Sequence, residues 1–249
     1  MCFEADAVPP IPVIAGAAVS HEDLVLEAED GNRFAAFLAT PEEPGAACVL
    51  ILPDVRGLYR FYEELALRFA ERGITALAFD YFGRTAGAGK RDDDFEYMTH
   101  VQQGTQEGLD ADVAAALSRL RETGCRSVFT VGFCFGGRQS WFAATRHDLA
   151  GAVGFYGRPC VARDGTPGPA QRAAELKAPI LGLMGGADAA IPAEEVAAFE
   201  RALTEAGIEH ELVTYEGAPH SFFDRKQEEF ADVSTDAWSR VLTFIDRYG

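Results

Sequence analysis

The sequence predicts an α/β fold in which a mostly parallel, doubly wound sheet follows an antiparallel N-terminal strand or hairpin. Short apolar and β-branched runs alternate with helical patterns along most of the chain, which is typical of a parallel sheet covered by helices. Several runs are apolar throughout, as strands buried on both faces are. At 249 residues, the chain fits one domain over 1–249 better than two small ones.

The N-terminal third contains the antiparallel start and the first parallel strands. Residues 1–20 are rich in Pro, Ala and Val and are expected to form an extended lead-in. Glu29-Asp30-Gly31-Asn32 has the composition of a hairpin turn. The predicted elements in this part are strands 23–27 and 33–39, the buried strand Ala47–Leu52, a helix over 61–72 that ends at Gly73, and a buried strand over 74–79.

Strands and helices continue to alternate through the remaining two thirds. We expect helices over 108–123, from Gly137, over 192–207 and over 233–248, and strands over 127–131, 149–156, 179–184 and 211–215. Loops are expected over 80–90, 157–170 and 216–223. Residues 83–104 have little periodicity, and we expect an insertion near a site there because such loops often carry function.

Charge and hydropathy exclude several classes of protein. The net charge of −17 disfavours nucleic acid as a partner, since nucleic-acid binding needs a basic surface. The chain has no uninterrupted apolar run of 18 residues, so no membrane span is expected. Its first residues are acidic and lack the basic and apolar regions of a signal peptide. A cytoplasmic protein acting on a small molecule is therefore predicted.

The cysteines predict neither a disulfide framework nor a zinc site. Their number is odd, their spacings are wide, and no C-x-x-C occurs, whereas both kinds of site favour paired spacings. Cys48 lies in an apolar run and is expected in the core. Cys125 and Cys160 lie in connecting segments and are expected to be incidental thiols.

One cysteine lies in a motif that carries chemistry. Gly132-Phe133-Cys134-Phe135-Gly136 follows a predicted strand and precedes a predicted helix. This is the G-x-S-x-G nucleophile elbow of α/β-hydrolases with Cys in place of Ser. The motif alone is equally compatible with a small core cysteine after a strand.

Two later residues make the elbow part of a triad. In α/β-hydrolases the acid and then the base follow the nucleophile in the chain. Asp188 and His220 each come just after a predicted strand and in that order. Cys134 would be the nucleophile, His220 the general base, and Asp188 the group that orients the imidazole. The backbone N–H groups of Phe135 and Val55 would form the oxyanion hole.

Together these residues resemble the dienelactone hydrolase family over about 21–248. The resemblance implies an α/β-hydrolase fold and a carboxymethylenebutenolidase-like carboxylic ester hydrolase that opens small, carboxylate-bearing lactones or esters through an acyl-enzyme. It implies neither a metal nor an organic cofactor, and it implies a monomer or small homo-oligomer. The resemblance also implies that Asp54 is an auxiliary base beside the Cys134 thiol. The family usually has Glu at this position.

The resemblance also implies residues that bind the substrate. Arg84 matches the first of two carboxylate-binding arginines, and such recognition suits a bidentate guanidinium. The second arginine is expected at position 224, where this chain has Asp224 with Arg225 beside it. Arg225 could serve by a one-residue shift, and Tyr156 and Phe222 are expected to shape the pocket. Arg138, on the helix after the elbow, is expected to face away from it.

Three other functions are compatible with these residues. The chain could be a general carboxylesterase or thioesterase, since the substrate is not fixed by the triad. It could be a non-catalytic binding protein that keeps the fold, or it could carry out thiol redox chemistry with Cys160 as partner to Cys134. The histidines at 21, 100, 147 and 210 lack the position that the base requires.

Overall fold

An eight-stranded sheet in the order β1-β2-β4-β3-β5-β6-β7-β8 organises the fold. The computed structural model describes residues 3, 4, 6–92, 94–161 and 165–249. The strands are β1 Val19–Glu27, β2 Arg33–Pro41, β3 Ala47–Leu52, β4 Thr75–Phe79, β5 Ser127–Phe133, β6 Gly151–Phe155, β7 Ile180–Gly185 and β8 His210–Tyr215. From β4 to β8 every neighbouring pair is parallel.

The antiparallel start is the hairpin that the turn residues predict. β1 and β2 pair from Val19 opposite Pro41 to Glu27 opposite Arg33, and β2 then pairs antiparallel with β4. β1 begins four residues before the predicted strand over 23–27, because Ser20, His21 and Glu22 are polar and exposed and so lack the apolar pattern. The fold class predicted from the sequence is confirmed.

Helices follow the strands in the predicted order. They are α1 Arg60–Ala70, α2 Gly83–Ala86, α3 Tyr97–Val101, α4 Gln106–Arg121, α5 Phe135–Arg146, α6 Ala193–Glu205 and α7 Ala231–Tyr248, with 3-10 turns over Pro169–Glu175 and Glu228–Phe230. The short helices α2 and α3 lie in the predicted insertion over 83–104. None of the helices in the described part of the chain is long and apolar enough to cross a membrane.

The order of the strands reverses at β3, and this places the candidate site. The chain passes from β3 to β4 on one side and returns to β5 on the other. Sites of open α/β sheets form at such a switch point, beyond the carboxyl ends of the strands. Asp54 and Val55 follow β3, and Cys134 follows β5, so these residues meet at one edge.

Two glycines allow α5 to start in contact with the sheet. A Cβ on Gly132 would lie 1.9 Å from the carbonyl oxygen of Gly136, and a Cβ on Gly136 would lie 2.1 Å from that of Leu52. Both distances are far shorter than van der Waals contact, so only glycine fits at either position. The first turn of α5 therefore lies directly against the end of β3.

The lead-in packs on the body of the protein. The ring of Phe3 stacks on Phe61 with 4.2 Å between centroids. Phe3 is 5% exposed and Ile11 is 1% exposed, so this segment adds to the core. Its described residues up to 18 are in turns, bends or stretches without regular secondary structure.

Cys48 lies in the core, as predicted, but the prediction that Cys125 is an incidental thiol and that the cysteines form no disulfide is wrong. They form a disulfide with 6.0 Å between Cα atoms and 77 residues between them in sequence. Cys48 lies at the start of β3 and Cys125 just before β5, and these strands are parallel neighbours. Sequence spacing cannot reveal this pairing, because it depends on which strands lie side by side.

The close approach at Gly136 predicts a specific loss of stability. We expect Gly136→Ala to lower the free energy of unfolding by about 3 kcal/mol, because the new methyl group overlaps backbone that cannot move away. Thermal unfolding followed by circular dichroism measures this, with Gly89→Ala as control, since the nearest atom to its Cβ is 3.9 Å away. Equal melting temperatures for the two variants would contradict the close crossing.

The disulfide predicts two thiols that appear only after reduction. In denaturant, thiol titration should give two more reactive cysteines with reductant than without it, and non-reduced peptides should contain the Cys48–Cys125 link. Cys125→Ser should lower the free energy of unfolding by up to about 4 kcal/mol, because a loop of 77 residues is no longer closed in the unfolded chain. Equal thiol counts under both conditions would show that the bond is absent.

Candidate active site

Cys134 occupies the turn between β5 and α5. It is the N-cap of α5 and has φ 55° and ψ −112°, a left-handed conformation that side chains rarely adopt. Its backbone N–H donates to the carbonyl of Phe155 at 3.0 Å, and its carbonyl accepts from Arg138 at 3.3 Å. The helix N-terminus beside it favours negative charge on the sulfur.

Asp188 and His220 meet at the ends of β7 and β8. Asp188 Oδ2 and His220 Nδ1 are 2.6 Å apart, and Asp188 Oδ1 accepts the backbone N–H of Ala190 at 2.8 Å. The Asp188 side chain is 1% exposed and that of His220 is 15% exposed. The Asp188 carboxylate therefore holds Nδ1 of the imidazole toward the protein interior. The other ring nitrogen, Nε2, lies on the opposite side of the ring.

Backbone strain is concentrated at this edge of the sheet. Among the described residues other than glycine, positive φ values occur at Cys134, Tyr156 and Ser221. Tyr156 directly follows β6, and Ser221 directly follows His220. Strained conformations of this kind persist where the surrounding structure determines them, and they cluster at functional sites.

Tyr156 lies between the nucleophile turn and the histidine. Its ring centroid is 4.9 Å from that of His220, and it directly follows Phe155, whose carbonyl holds Cys134. Tyr156 is 1% exposed and Phe222 is 0% exposed, with 5.4 Å between their rings. The Phe222 side chain is fully buried and packs against Tyr156 from the core. It therefore has no exposed surface with which to make the substrate contact that was expected of it.

Asp54 is buried and held by two partners that sequence reasoning missed. Arg56 donates to it from Nη2 at 3.0 Å, from Nε at 3.3 Å and from its backbone N–H at 2.8 Å, and the Tyr59 hydroxyl donates at 2.9 Å. Burial alone would lower the pKa of Arg56, but the bonds and charge of Asp54 raise it overall. The spacing Asp-x-Arg after a buried strand is the signal that could have indicated this pair.

Tyr81 connects Asp54 with the elbow. Its hydroxyl donates to the carbonyl of Pro53 at 2.7 Å, and its ring is 5.3 Å from that of Phe135. Burial raises the pKa of Tyr81 well above its ordinary value, and the negative charges of Asp54, Asp80 and Cys134 raise it further. Tyr81 therefore contacts both Pro53, which precedes Asp54, and Phe135, which follows Cys134.

The two expected oxyanion donors lie on neighbouring turns. Val55 belongs to the turn in which Gly57 N–H donates to the carbonyl of Asp54 at 3.1 Å. Phe135 is the first residue of α5, which contacts the end of β3 through Gly136. Both residues therefore lie near the contact between α5 and the end of β3.

The Arg84 guanidinium is already paired with carboxylates of the protein itself. Its Nη2 donates to Asp112 Oδ1 at 2.8 Å and to the carbonyl of Gly108 at 2.9 Å, and its Nη1 forms an ion pair with Asp30. Burial raises the pKa of Asp112 to about 6, although Asn32 and Arg84 oppose the shift. The arginine expected to bind a substrate carboxylate thus already has two carboxylate partners.

Arg225 and Asp224 hold the lead-in segment. Arg225 donates from Nη2 to the carbonyl of Ile11 at 2.7 Å, and its backbone N–H donates to the carbonyl of Val8 at 3.0 Å. Asp224 is 3% exposed and accepts the backbone N–H of Val8 at 3.2 Å. The Asp224 carboxylate thus has a structural role, which is to bind the lead-in. The hydrogen bonds of Arg225 likewise direct this arginine to the lead-in instead of to a substrate.

A cleft of about 320 Å³ opens beside the elbow. Its aromatic wall consists of Tyr81, Phe82, Phe135 and Phe142, and its polar lining includes Arg84, Thr85, His100, Asp112 and Arg138. Arg138 was expected to face away from the pocket, but it lines this cleft. Its guanidinium donates to carbonyls of the loop after β6, at Arg158, Cys160, Thr166 and Pro167.

No group of three or more His, Cys, Asp or Glu side chains in the described part of the chain is arranged to hold a metal ion. Cys134 lies in the turn between β5 and α5, and Asp188 bonds to His220. Cys134, Asp188 and His220 come from the ends of three strands on one edge of the sheet.

Known proteins share this architecture. A model of the dienelactone hydrolase family matches residues 34–249. A protein assigned as a carboxymethylenebutenolidase in Methylorubrum extorquens is 30% identical over 232 residues, covering 86% of this chain and 77% of the relative. A Bradyrhizobium protein assigned as a 2-oxo-3-(5-oxofuran-2-ylidene)propanoate lactonase is 26% identical, covering 87% of this chain and 90% of the relative.

Among solved structures, one assigned as a dienelactone hydrolase from Klebsiella pneumoniae superposes with a TM-score of 0.79 at 25% identity, covering 93% of this chain and 100% of that one. A dienelactone hydrolase-like promiscuous phosphotriesterase from metagenomic libraries gives a TM-score of 0.77 at 22% identity, covering 94% and 99%; it shares the fold. With the family model spanning more than half of its length, this chain belongs to the dienelactone hydrolase family and is a carboxylic ester hydrolase.

Proposed function

We propose that the protein hydrolyses small esters or lactones through a Cys134–His220–Asp188 triad and an acyl-enzyme intermediate. The observation that carries this proposal is the 2.6 Å bond between Asp188 and His220, on the same sheet edge as the Cys134 turn. A cysteine at an elbow needs such an oriented base, because a thiol with a pKa of about 8.5 is mostly protonated at neutral pH.

In the first half of the reaction, the Cys134 sulfur attacks the ester carbonyl after its proton passes to His220. The carbonyl oxygen becomes an oxyanion that accepts from the backbone N–H groups of Phe135 and Val55. The C–O bond of the ester then breaks, and His220 returns the proton to the departing alcohol. Asp188 stabilises the imidazolium that exists between these two transfers.

In the second half, water hydrolyses the thioester. His220 accepts a proton from the water, whose oxygen attacks the acyl carbon, and the C–S bond breaks as the acid leaves. The proton returns to the sulfur or stays on the imidazole, which restores the enzyme. For a lactone, the alcohol and the acid belong to one molecule, so a single hydroxy acid is released.

Asp54 acts in this proposal as an auxiliary base for the thiol. Its side chain is buried, and support for its nearness to the thiol comes from Tyr81, which bonds to Pro53, next to Asp54, and packs against Phe135, next to Cys134. Its oxygens accept hydrogen bonds from Arg56 and Tyr59, which hold the carboxylate in place.

The alternative functions receive less support. A non-catalytic binding protein has no need of an oriented His220, yet Asp188 holds the imidazole. A redox partnership of Cys134 with Cys160 is disfavoured because Cys160 Sγ donates to the carbonyl of Glu195 at 3.6 Å. Burial also raises the pKa of the Cys160 thiol, which lowers its reactivity.

The nucleophile is tested by replacing Cys134. We expect Cys134→Ala to abolish turnover of an aryl acetate while the melting temperature stays within a few degrees of the wild type. Mass spectrometry of the rapidly quenched wild type should show an acetyl group on Cys134. Cys160→Ala is the matched control and should retain full turnover; loss of turnover only in this control would contradict the assignment.

The role of Asp54 is tested with a pair of variants that separate charge from hydrogen bonding. Asp54→Asn should lower kcat/KM about 100-fold, the size of a lost general base, with KM little changed. Tyr59→Phe keeps the carboxylate, removes one donor to it, and should reduce kcat/KM by less than about tenfold. If Asp54→Asn stays within a factor of two of the wild type, Asp54 has no part in the proton transfer.

A further inference from the structure

The N-terminal lead-in reaches the candidate site, although the match to the family model begins only at residue 34. We propose that the lead-in positions His220: Phe3 packs Tyr156 against the imidazole, and Arg225 fixes the lead-in to the loop that carries His220. Phe3 and Arg225 are thus positioning residues, which act through Tyr156 and through this loop. The inference rests on the proposed function, in which His220 transfers the proton.

Phe3 lies where three parts of the site meet. Its ring stacks on Phe61 of α1 and is 6.2 Å from the rings of Tyr156 and of Phe133, the residue before Cys134. The planes of the Phe3 and Tyr156 rings meet at 81°, an edge-to-face arrangement that aromatic pairs prefer. Since Phe3 is also buried, this end of the lead-in is a packed part of the core.

Tyr156 depends on its neighbours for its position. Its φ of 36° lies in the left-handed region, where a tyrosine remains only if the surrounding packing holds it. Rings enclose its side chain, which is buried; they belong to Phe3, Phe133, Phe155, His220 and Phe222. Loss of the Phe3 ring would open this packing on the side of the lead-in and would let the Tyr156 ring move.

The Tyr156 ring restricts the direction of the imidazole. Asp188 is bonded to Nδ1 of His220 at 2.6 Å, but one hydrogen bond by itself lets a ring turn about that bond. The Tyr156 ring, 4.9 Å from that of His220, limits this turn and so helps to fix where Nε2 points. Catalytic groups need a direction set to within about 10–20°, and a shift of about 1 Å can cost about 100-fold in rate.

A clamp joins the lead-in to the loop after His220. Val8 is bonded in both directions: its N–H donates to Asp224 Oδ1 at 3.2 Å, and its carbonyl accepts the backbone N–H of Arg225 at 3.0 Å. Arg225 Nη2 also donates to the carbonyl of Ile11 at 2.7 Å. Because Asp224 is only four positions after His220 in the chain, bonds that hold the lead-in here also hold the loop of the histidine.

Buried groups give the clamp its strength. The Asp224 carboxylate is 3% exposed and accepts the backbone N–H groups of Val8 and Lys226, and a buried acceptor that loses a donor is costly. The ion pair between Lys226 and Asp6 lies at the surface, where solvent screens it and it contributes little. The lead-in is therefore held at the clamp by backbone bonds to a buried carboxylate, and at Phe3 by aromatic packing.

Kinetics with an aryl acetate test the role of Phe3. We expect Phe3→Ala to lower kcat about tenfold with KM within a factor of about two, because a misdirected base slows the chemical step without weakening binding. Phe3→Leu keeps an apolar side chain in the same place and should restore most of kcat. Val13→Ala is the matched control: Val13 belongs to the lead-in, is 62% exposed, and should alter neither constant.

A double-mutant cycle tests whether Arg225 acts through the lead-in. Arg225→Met keeps an unbranched side chain that cannot donate to Ile11, and we expect kcat to fall about threefold. Added to Phe3→Ala it should cost less than about twofold more, because a lead-in without the Phe3 ring no longer supports Tyr156. A full threefold loss in both backgrounds would show that Arg225 acts independently of Phe3 and would overturn its assignment.

The Nδ1 proton of His220 gives a readout that a lower stability alone does not change. Held by Asp188, it should give a far-downfield signal in the proton NMR spectrum of the wild type that His220→Gln lacks. Well below the melting temperature, we expect exchange to broaden this signal in Phe3→Ala and to leave it unchanged in Val13→Ala. An equally sharp signal in Phe3→Ala, or none in the wild type, would mean that the lead-in does not hold the imidazole.

The kinetic results can also overturn the proposal. A change in kcat of less than about twofold in Phe3→Ala would do so, as would a rise in KM alone, since Phe3 would then be a substrate contact. An equal loss in Val13→Ala would point to a general loosening of the N-terminus. Should Phe3→Ala fail to fold, Arg225→Met carries the same kinetic and NMR tests.

The proposed function and this inference fail separately. If Cys134→Ala keeps its turnover, the proposed function is wrong. The His220 signal can still be compared between Cys134→Ala and Cys134→Ala with Phe3→Ala, and its broadening in the second would support the role of the lead-in by itself.

Discussion

The contact between the first turn of α5 and the end of β3 determines the geometry of the site. Gly132 and Gly136 allow two backbone segments to approach at distances that a Cβ would prevent. This crossing forces Cys134 into its left-handed conformation, with its N–H tied to β6. It also brings the helix N-terminus and the turn after β3 together, so the proposed nucleophile and the two proposed backbone donors depend on one packing contact.

Charge pairing is the second constraint, and it bears on the substrate. In a chain with a net charge of −17, the arginines near the site face many carboxylates. Arg56 is paired with Asp54, Arg84 with Asp30 and Asp112, and Arg91 with Asp80. Pairing satisfies buried charges, but it also leaves these arginines with little attraction for another anion, because a new carboxylate must displace an existing one.

The fold and the contact between Asp188 and His220 could be predicted from the sequence because each depends on local signals. Apolar runs mark the buried strands, and the elbow motif and the chain order identify Cys134, Asp188 and His220. Arg84 and Arg225 were expected to bind a carboxylate, but the partners of an arginine depend on tertiary contacts. Asp112 lies 28 residues from Arg84 and Ile11 lies 214 from Arg225, distances over which periodicity carries no information.

The disulfide and the site cysteine act at opposite ends of the same strands. Cys48 and Cys125 join the amino ends of β3 and β5, whereas Asp54 and Cys134 follow their carboxyl ends. The seven residues of β5 span about 23 Å at 3.3 Å per residue, which is too far for the Cys134 thiol to attack the disulfide. The strands are thus fixed at one end by a covalent bond and at the other by the close packing of α5. The disulfide is therefore a structural link that is separate from the acyl transfer proposed for Cys134.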